Sequence, residues 1–274
     1  MNILLTGRAG QVGSELEALL QPRVALDRAT LDLADASAIR KIVREARPDV
    51  ILNAAAYTAV DRAETEPELA MRINGEAPGV LAEEAKKCGA LLVHYSTDYV
   101  FDGRKGAPYT EEDAKRPLGV YGRTKLAGEE NIRASGARHL IVRTAWVYGR
   151  GRNFVRAIVA QASAGNALRV VDDQFGAPTW ARDIAQVSKE LIARRAEGVF
   201  HVSAAGCASW HEVALEVLRL AGLSVAVSRV STAEYAARAP RPAYSVLDNG
   251  KLHALGLQIG DWRERLALYL ESRP

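Results

Sequence analysis

Cysteine is scarce in this 274-residue chain: Cys88 and Cys207 lie far apart and in no CxxC pair. That spacing argues against a disulfide framework and a zinc knuckle. The five histidines, His94, His139, His201, His211 and His253, fall in no HExxH or clustered spacing. They read as structural or surface residues, and no metal site is expected. An excess of one charge is also lacking. A net charge of +3 sets up no global field for nucleic acid or an anionic membrane, and leaves room only for a local basic patch around a phosphate. No apolar run approaches the roughly 20 residues of a membrane span. The opening MNILLTGRAG reaches glycine too early for a secretory signal, so a reducing cytoplasmic setting is expected. The chain shows no repeat, low-complexity tract or clear linker. Its apolar and charged fractions, 48% and 25%, are ordinary, and its length suits one α/β domain or two lobes around a cleft.

What is present is a rhythm. Asn2 to Thr6, Val24 to Asp27, Val50 to Asn53, Ala90 to Ser96 and His139 to Thr144 are short apolar runs that predict buried strands. Helical patterns alternate with them over Gln11 to Leu20, Ala36 to Ala46, Ala70 to Cys88 and Tyr121 to Ala134. This alternation implies βαβ units and a parallel sheet with helices on both faces. Past residue 150 the rhythm loosens into helices over 153–164 and 182–194, a strand over 199–202, and the Ser209-Trp210-His211-Glu212 capping box of a helix running to Leu220. The expected architecture is a Rossmann-type, doubly wound sheet over residues 1–150. Residues 151–274 would form mainly a smaller substrate-binding lobe interwoven with it.

Gly7-Arg8-Ala9-Gly10-Gln11-Val12-Gly13 is a GxxGxxG loop at the first strand–helix junction. Glycine there permits a tight turn and close backbone approach, and the helix N-terminus offers free N–H groups to a pyrophosphate. Asp27, ending the second strand, favours a free ribose 2′-hydroxyl. Arg28 and Arg8 favour a 2′-phosphate. Two bases against one acid tilt the reading to NADP, with NAD use left open. Asp32-Leu33 is a candidate cover for the adenine or a turn before the next helix.

Tyr121-Gly122-Arg123-Thr124-Lys125 is a YxxxK pair, whose members share one face of a helix. Adding hydride to a carbonyl builds charge on oxygen, and a tyrosine hydroxyl can donate the proton. Tyrosine titrates near 10 unaided, and a nearby ammonium lowers that value. Alone the pattern is common. It gains weight from Ser96 and Thr97, which end a predicted parallel strand where ligands of open α/β sheets bind. Both hydroxyls are therefore expected to face the cleft, the alternative for either alone being a strand-end hydroxyl that caps a turn. Trp146 follows another such strand and can pack on a sugar face or fill a core. Arg241, in a Pro-Arg-Pro turn, is either exposed or a pyrophosphate clamp. Asn153 and Gln174 are weaker candidates for the nucleotide end. Asn74 reads as a helix-packing amide.

These segments together resemble the dTDP-4-dehydrorhamnose reductase family of extended short-chain dehydrogenases/reductases. The likeness runs from Gly7–Gly13 through Asn53-Ala-Ala-Ala-Tyr-Thr-Ala-Val-Asp61, Tyr95-Ser-Thr-Asp-Tyr-Val-Phe101, Val120–Glu129 and Arg143-Thr-Ala-Trp-Val-Tyr148 to Asp173–Thr179. It implies that Thr97, Tyr121 and Lys125 are catalytic. It implies a cofactor site of Gly7, Gly10, Gln11, Val12, Gly13, Arg28, Asp32, Leu33, Ala54, Ala55, Ala56, Thr58 and Ser96, joined by Tyr121 and Lys125. Val60, Thr97, Asp98, Trp146, Asn153, Gln174 and Arg241 would then hold the substrate. Some relatives bind magnesium between subunits through glutamates. Glu15 occupies one such place here, but no further ligands match, so no metal is assigned. Arg123 stands where relatives carry an acid, off the Tyr–Lys face.

The implied activity is reduction by NADPH of the C4 keto group of a dTDP-4-dehydro-6-deoxy-L-hexose to dTDP-L-rhamnose. A small-molecule nucleotide sugar is thus the expected partner, with nucleic acid and membrane excluded and a homodimer open. Two alternatives stand beside it. A nucleotide-sugar epimerase or dehydratase uses the same pair, but the acid–acid pair of a dehydratase is broken here by Tyr99 after Asp98. A regulatory subunit resembling the methionine adenosyltransferase β subunit shares the fold, and the intact Thr97, Tyr121 and Lys125 argue against it.

Overall fold

The computed structural model describes residues 1–272. In chain order it gives β1 (Ile3–Thr6), α1 (Gln11–Leu20), β2 (Val24–Leu26), α2 (Ala36–Ala46), β3 (Val50–Asn53), α3 (Val60–Ala63), α4 (Pro67–Met71), α5 (Ala77–Cys88), β4 (Leu91–Thr97), α6 (Val120–Ser135) and β5 (His139–Thr144). Then follow β6 (Val147–Tyr148), α7 (Phe154–Ser163), β7 (Leu168–Val171), β8 (Phe175–Gly176), β9 (Thr179–Trp180), α8 (Ala181–Ala193), β10 (Gly198–His201) and β11 (Ala208–Ser209). The last elements are α9 (Trp210–Ala221), β12 (Val227–Val230), α10 (Thr232–Tyr235), α11 (Gly250–His253) and α12 (Trp262–Glu271).

Among the described residues, six strands form one parallel sheet in the order β10-β5-β4-β3-β1-β2. The α/β expectation is thus met. Because strand side chains alternate, each strand feeds two cores. Leu5, Leu52, Val93 and Val142 join one apolar cluster, which runs into α8, α9 and α12. Leu4, Ile51, Leu92 and Ile141 join the other, with residues of α2, α5 and α6. β10 lies past residue 150 and still completes this sheet, and α8 packs on α1. The remaining strands pair in three small sheets, β8 with β11, β7 with β12 and β6 with β9.

The helix expected over Ala70–Cys88 starts earlier, at Pro67, and is interrupted by a π turn at Arg72–Glu76, where Ala77 N–H bonds Arg72 O. Pro78 explains the break: it has no N–H for the Asn74 carbonyl four residues before it. A Cβ on Gly128 would stand 2.2 Å from that carbonyl, so only glycine lets α6 approach so closely. Such π turns are frequent at functional sites.

The order of the strands places the site. From β1 the chain goes to β2 on one side and returns to β3 on the other. The carboxyl ends of β1 and β3 therefore border the crevice at which open α/β sheets bind ligands.

Candidate active site

The glycine loop leaves β1 at this crevice. Gly7 has φ +78°, and a Cβ there would lie 2.5 Å from Ala55 N. A Cβ on Gly13 would lie 2.0 Å from Gly7 O. Both positions thus exclude side chains, and the loop packs against the Ala54-Ala55-Ala56 segment after β3. No side chain caps α1, so its first N–H groups are left for an anion. Gln11 donates from Nε2 to Val147 O at 3.2 Å, joining the loop to β6. These features fit a dinucleotide pyrophosphate.

At the adenosine end, Asp27 spends Oδ1 on its own turn, accepting from Ala29 N, Thr30 N and Thr30 Oγ1. Arg8 pairs with Glu17 at 2.6 Å. Arg28 is exposed, and its charge is felt by Tyr57 and Glu66. Of the two bases weighed for a 2′-phosphate, Arg28 is thus the one that no described ion pair occupies. Asp32 caps a turn through Ala34 N at 2.9 Å, and Leu33 is buried in the second apolar core.

The segment after β3 is held from behind. Asn74, on the π turn, accepts from Tyr57 N at 2.8 Å, donates to Tyr57 O at 3.0 Å and reaches Thr124 Oγ1 at 3.3 Å. Asn74 is more than a packing amide: it clasps the loop carrying Ala54–Thr58 and ties it to α6. The exposed Thr58 and half-buried Val60 follow on this loop and at the start of α3.

α6 presents the Tyr–Lys pair. It has no cap of its own, and Glu64 accepts the Val120 N–H at 2.7 Å. Thr97, at the end of β4, caps the following turn through Tyr99 N and donates to Asp98 Oδ1 at 3.0 Å. Its hydroxyl also meets the Tyr121 phenol. Burial pushes that phenol up to about 12, with the Thr97 contact acting against the shift and the Asp98 charge adding to it. The Tyr99 ring meets Tyr121 edge-on, with centroids 5.6 Å apart. Asp98 is itself buried, which raises its carboxyl to about 6 against the lowering effect of the Ser245 and Thr97 hydroxyls. Lys125 is 1% exposed. Burial lowers its amine to about 8, opposed by Glu129 one turn along α6. Its Nζ donates to Tyr95 O at 2.6 Å and lies 3.1 Å from His94 Nε2.

Ser96 requires a correction. Its hydroxyl does not face the cleft: it donates to Glu129 Oε1 at 2.6 Å, on the face of β4 opposite Thr97. Adjacent strand residues point to opposite faces, so only one of the two could face the cleft. Glu129 also holds Arg143 through 2.9 and 2.7 Å bonds, forming a fully buried ion pair beneath the site.

On the opposite wall, Trp146 sits at φ +48°, over Gly176, where a Cβ would be 2.4 Å from its ring. Its indole stacks on Trp210, with centroids 3.5 Å apart and planes within 3°. A left-handed tryptophan is strained, and strain of this kind gathers at functional sites. The stack was not visible in sequence, because Trp210 lies 64 residues away and reads there as a capping-box position. Arg241 grips Asp61 with two bonds, 3.1 and 2.8 Å, and reaches Tyr99. That pairing holds Asp61 below the usual carboxylate range and brings the Pro-Arg-Pro turn beside Tyr99, whose ring meets Tyr121. Gln174 is buried and donates to Thr232 Oγ1 at 2.9 Å. Asn153 caps α7 through Arg156 N and donates to Gly149 O, so its amide already has a structural use. Arg123 is exposed and bonds Leu118 O. Among the described residues no cluster of three or more His, Cys, Asp or Glu side chains forms a metal site, and no helix is long and apolar enough to cross a membrane.

Comparison with known proteins adds to this geometry. Residues 1–273 match the family model described as RmlD substrate binding domain. A dTDP-4-dehydrorhamnose reductase of Burkholderia thailandensis is 44% identical over 290 residues, covering 98% of this chain and 97% of that protein. A crystal structure of such a reductase from Clostridium acetobutylicum superposes with a TM-score of 0.96 at 40% identity, over 99% of each chain. One from Bacillus anthracis, in complex with NADP, gives a TM-score of 0.96 at 35% identity over the whole of both chains.

Proposed function

We infer the activity from one premise: the chain belongs to the dTDP-4-dehydrorhamnose reductase family. It is an NADP-linked oxidoreductase that reduces the C4 keto group of dTDP-4-dehydro-L-rhamnose to dTDP-L-rhamnose. The observation that carries the residue-level reading is the contact of the Thr97 and Tyr121 hydroxyls at the carboxyl end of β4, with Lys125 buried one turn along α6 from Tyr121, and a glycine loop whose Gly7 and Gly13 leave no room for side chains.

Bound NADPH supplies the hydride. Gly7, Gly10 and Gly13 let the backbone approach the pyrophosphate, and the uncapped start of α1 receives its charge. Ala54, Ala55, Ala56 and Thr58 line the dinucleotide on the loop that Asn74 clasps. Tyr121 donates the proton to the carbonyl oxygen. Its raised value keeps the phenol protonated, and the Thr97 hydroxyl acts against that rise; Lys125, one turn along the same helix, holds the ribose of the bound dinucleotide. Thr97 orients the carbonyl through the hydroxyl that also touches Tyr121. The strained Trp146, backed by Trp210, forms the wall for the deoxysugar, with Val60 opposite. Arg241 approaches from the Pro-Arg-Pro turn toward the diphosphate. The two free cysteines, both exposed, favour a reducing compartment, and we place the reaction in the cytoplasm.

The test offers NADPH and dTDP-4-dehydrorhamnose to folded parent protein and to Tyr121→Phe. General acid catalysis contributes roughly 10² to 10⁴-fold, so turnover should fall by about that factor while NADPH affinity holds. Comparable rates would remove Tyr121 as the acid. No reduction by the parent would leave the regulatory-subunit alternative standing.

A further inference from the structure

His94 entered as one histidine among five with no motif. In the fold it occupies a particular place. Thr6, Asn53 and His94 are register partners on β1, β3 and β4, and all three point to the face covered by α6. They form a hydrogen-bonded row across three strands. Thr6 Oγ1 lies 2.8 Å from Asn53 Oδ1, Asn53 Nδ2 lies 3.0 Å from His94 Nδ1, and His94 Nε2 lies 3.1 Å from Lys125 Nζ. Every member is buried: Thr6 is 2% exposed and the other three 1% each. Apolar residues would fill this face at lower desolvation cost, yet a polar row ends on the amine of the reductase pair.

We propose that His94, backed by Asn53 and Thr6, is a positioning residue that seats the Lys125 amine, and that the row reverses its hydrogen-bond direction when Lys125 changes charge. The proposal rests on the reading of Lys125 given above. Donor counting fixes the direction for the charged amine and opens the reverse one for the neutral amine. An ammonium has no lone pair, so charged Lys125 must donate to Nε2. The ring proton then sits on Nδ1 and donates to the Asn53 oxygen, whose amide nitrogen donates to Thr6 Oγ1. A neutral amine can accept instead. The ring proton then sits on Nε2, Nδ1 accepts from Asn53 Nδ2, and Thr6 donates to Asn53 Oδ1. In both arrangements every contact along the row pairs one donor with one acceptor, which is what a buried polar row requires. Which amide orientation holds is a matter of the network. In the balance one proton leaves Lys125, and the ring keeps its single proton while exchanging the nitrogen that bears it.

The imidazole itself stays neutral. Burial drives its titration well below the usual range, and the Lys125 charge lowers it further. The ionisable groups bearing on Lys125 are His94 from β4 and Glu129 from one turn along α6. A neutral, tautomer-switching seat fixes the amine without adding a second positive charge beside it. It also leaves Lys125 one N–H beyond those given to Tyr95 O and His94 Nε2, directed at no described group.

The experiment is two-bond ¹H–¹⁵N correlation NMR on the ¹⁵N-labelled, cofactor-free protein, with His94 assigned by its loss in His94→Gln. His94 should remain neutral from about pH 6 to pH 10 and pass from the Nδ1–H to the Nε2–H tautomer through the titration of Lys125. Lys125→Met should abolish the passage and leave one tautomer throughout. As the kinetic arm, His94→Leu should raise KM for NADPH about tenfold and displace the pH profile of kcat, and His94→Gln should restore most of both. An imidazolium signal near pH 6, or one unchanging tautomer in the parent, would overturn the proposal without any variant having to fold. Those spectra need no keto-sugar, so their failure is separable from failure of the parent to reduce one.

Discussion

Replacing Lys125 with methionine should stabilise the fold at neutral pH while disabling it. Burial lowers the Lys125 amine from its ordinary 10.5 to about 8. Between those values the unfolded chain binds a proton that the folded protein does not, so stability rises with pH across that window. Below about pH 8 both states are charged and the full cost of burying the ammonium is present. The fall from 10.5 to about 8, at about 1.36 kcal/mol for each tenfold change in proton affinity, puts that cost at about 3 kcal/mol. Methionine fills similar volume and carries no charge. It gives up the bonds to Tyr95 O and His94 Nε2, each worth about 1 kcal/mol. At pH 7 the variant should therefore gain about 1 kcal/mol net. By about pH 10 the parent recovers most of the 3 kcal/mol and the variant does not, so their order reverses. Urea unfolding of both proteins at the two pH values, followed by circular dichroism, gives a double difference in which all other titrating groups cancel. It should be roughly 2 to 3 kcal/mol. Identical pH dependence of parent and variant would show that the amine is not buried at a cost, and would refute the reasoning.

Two further outcomes are expected. NADPH should be preferred modestly over NADH, and Arg28→Ala should narrow the ratio of their kcat/KM values; equal values in the parent would remove the basis for assigning the 2′-phosphate to Arg28. Glu129→Gln should destabilise by about 3 kcal/mol or more, because it leaves the Arg143 guanidinium buried without its counter-charge. Burial raises the Glu129 carboxyl, but the pair with Arg143 outweighs this and holds it below its ordinary value. Its contribution is therefore present above that value and lost as pH falls through the folded one. A thermal melt that is unchanged at pH 7 would count against the pair.

Whatever depends on neighbours along the chain was legible in the sequence. Apolar runs alternating with helical periods specify a parallel α/β sheet, since strands covered on both faces must be apolar throughout. Gly7, Gly10 and Gly13 announced a phosphate loop because glycine permits the tight turn and the close backbone approach such a loop needs, and Tyr121 and Lys125 announced a pair because four residues make about one helical turn. The tertiary structure decided whatever depends on a face or on residues far apart in the chain. Ser96 and Thr97 are equivalent as text, but the pleat sends one to Glu129 and the other to Tyr121. Asn74 looked like packing until the π turn set by Pro78 carried it to the Tyr57 backbone. Arg241 found Asp61 across 180 residues, and Trp146 found Trp210 across a lobe. His94 had no motif because its partners, Thr6, Asn53 and Lys125, stand on three other elements. Only strand register and the seating of α6 bring them into one line, and neither is written in any local stretch of sequence.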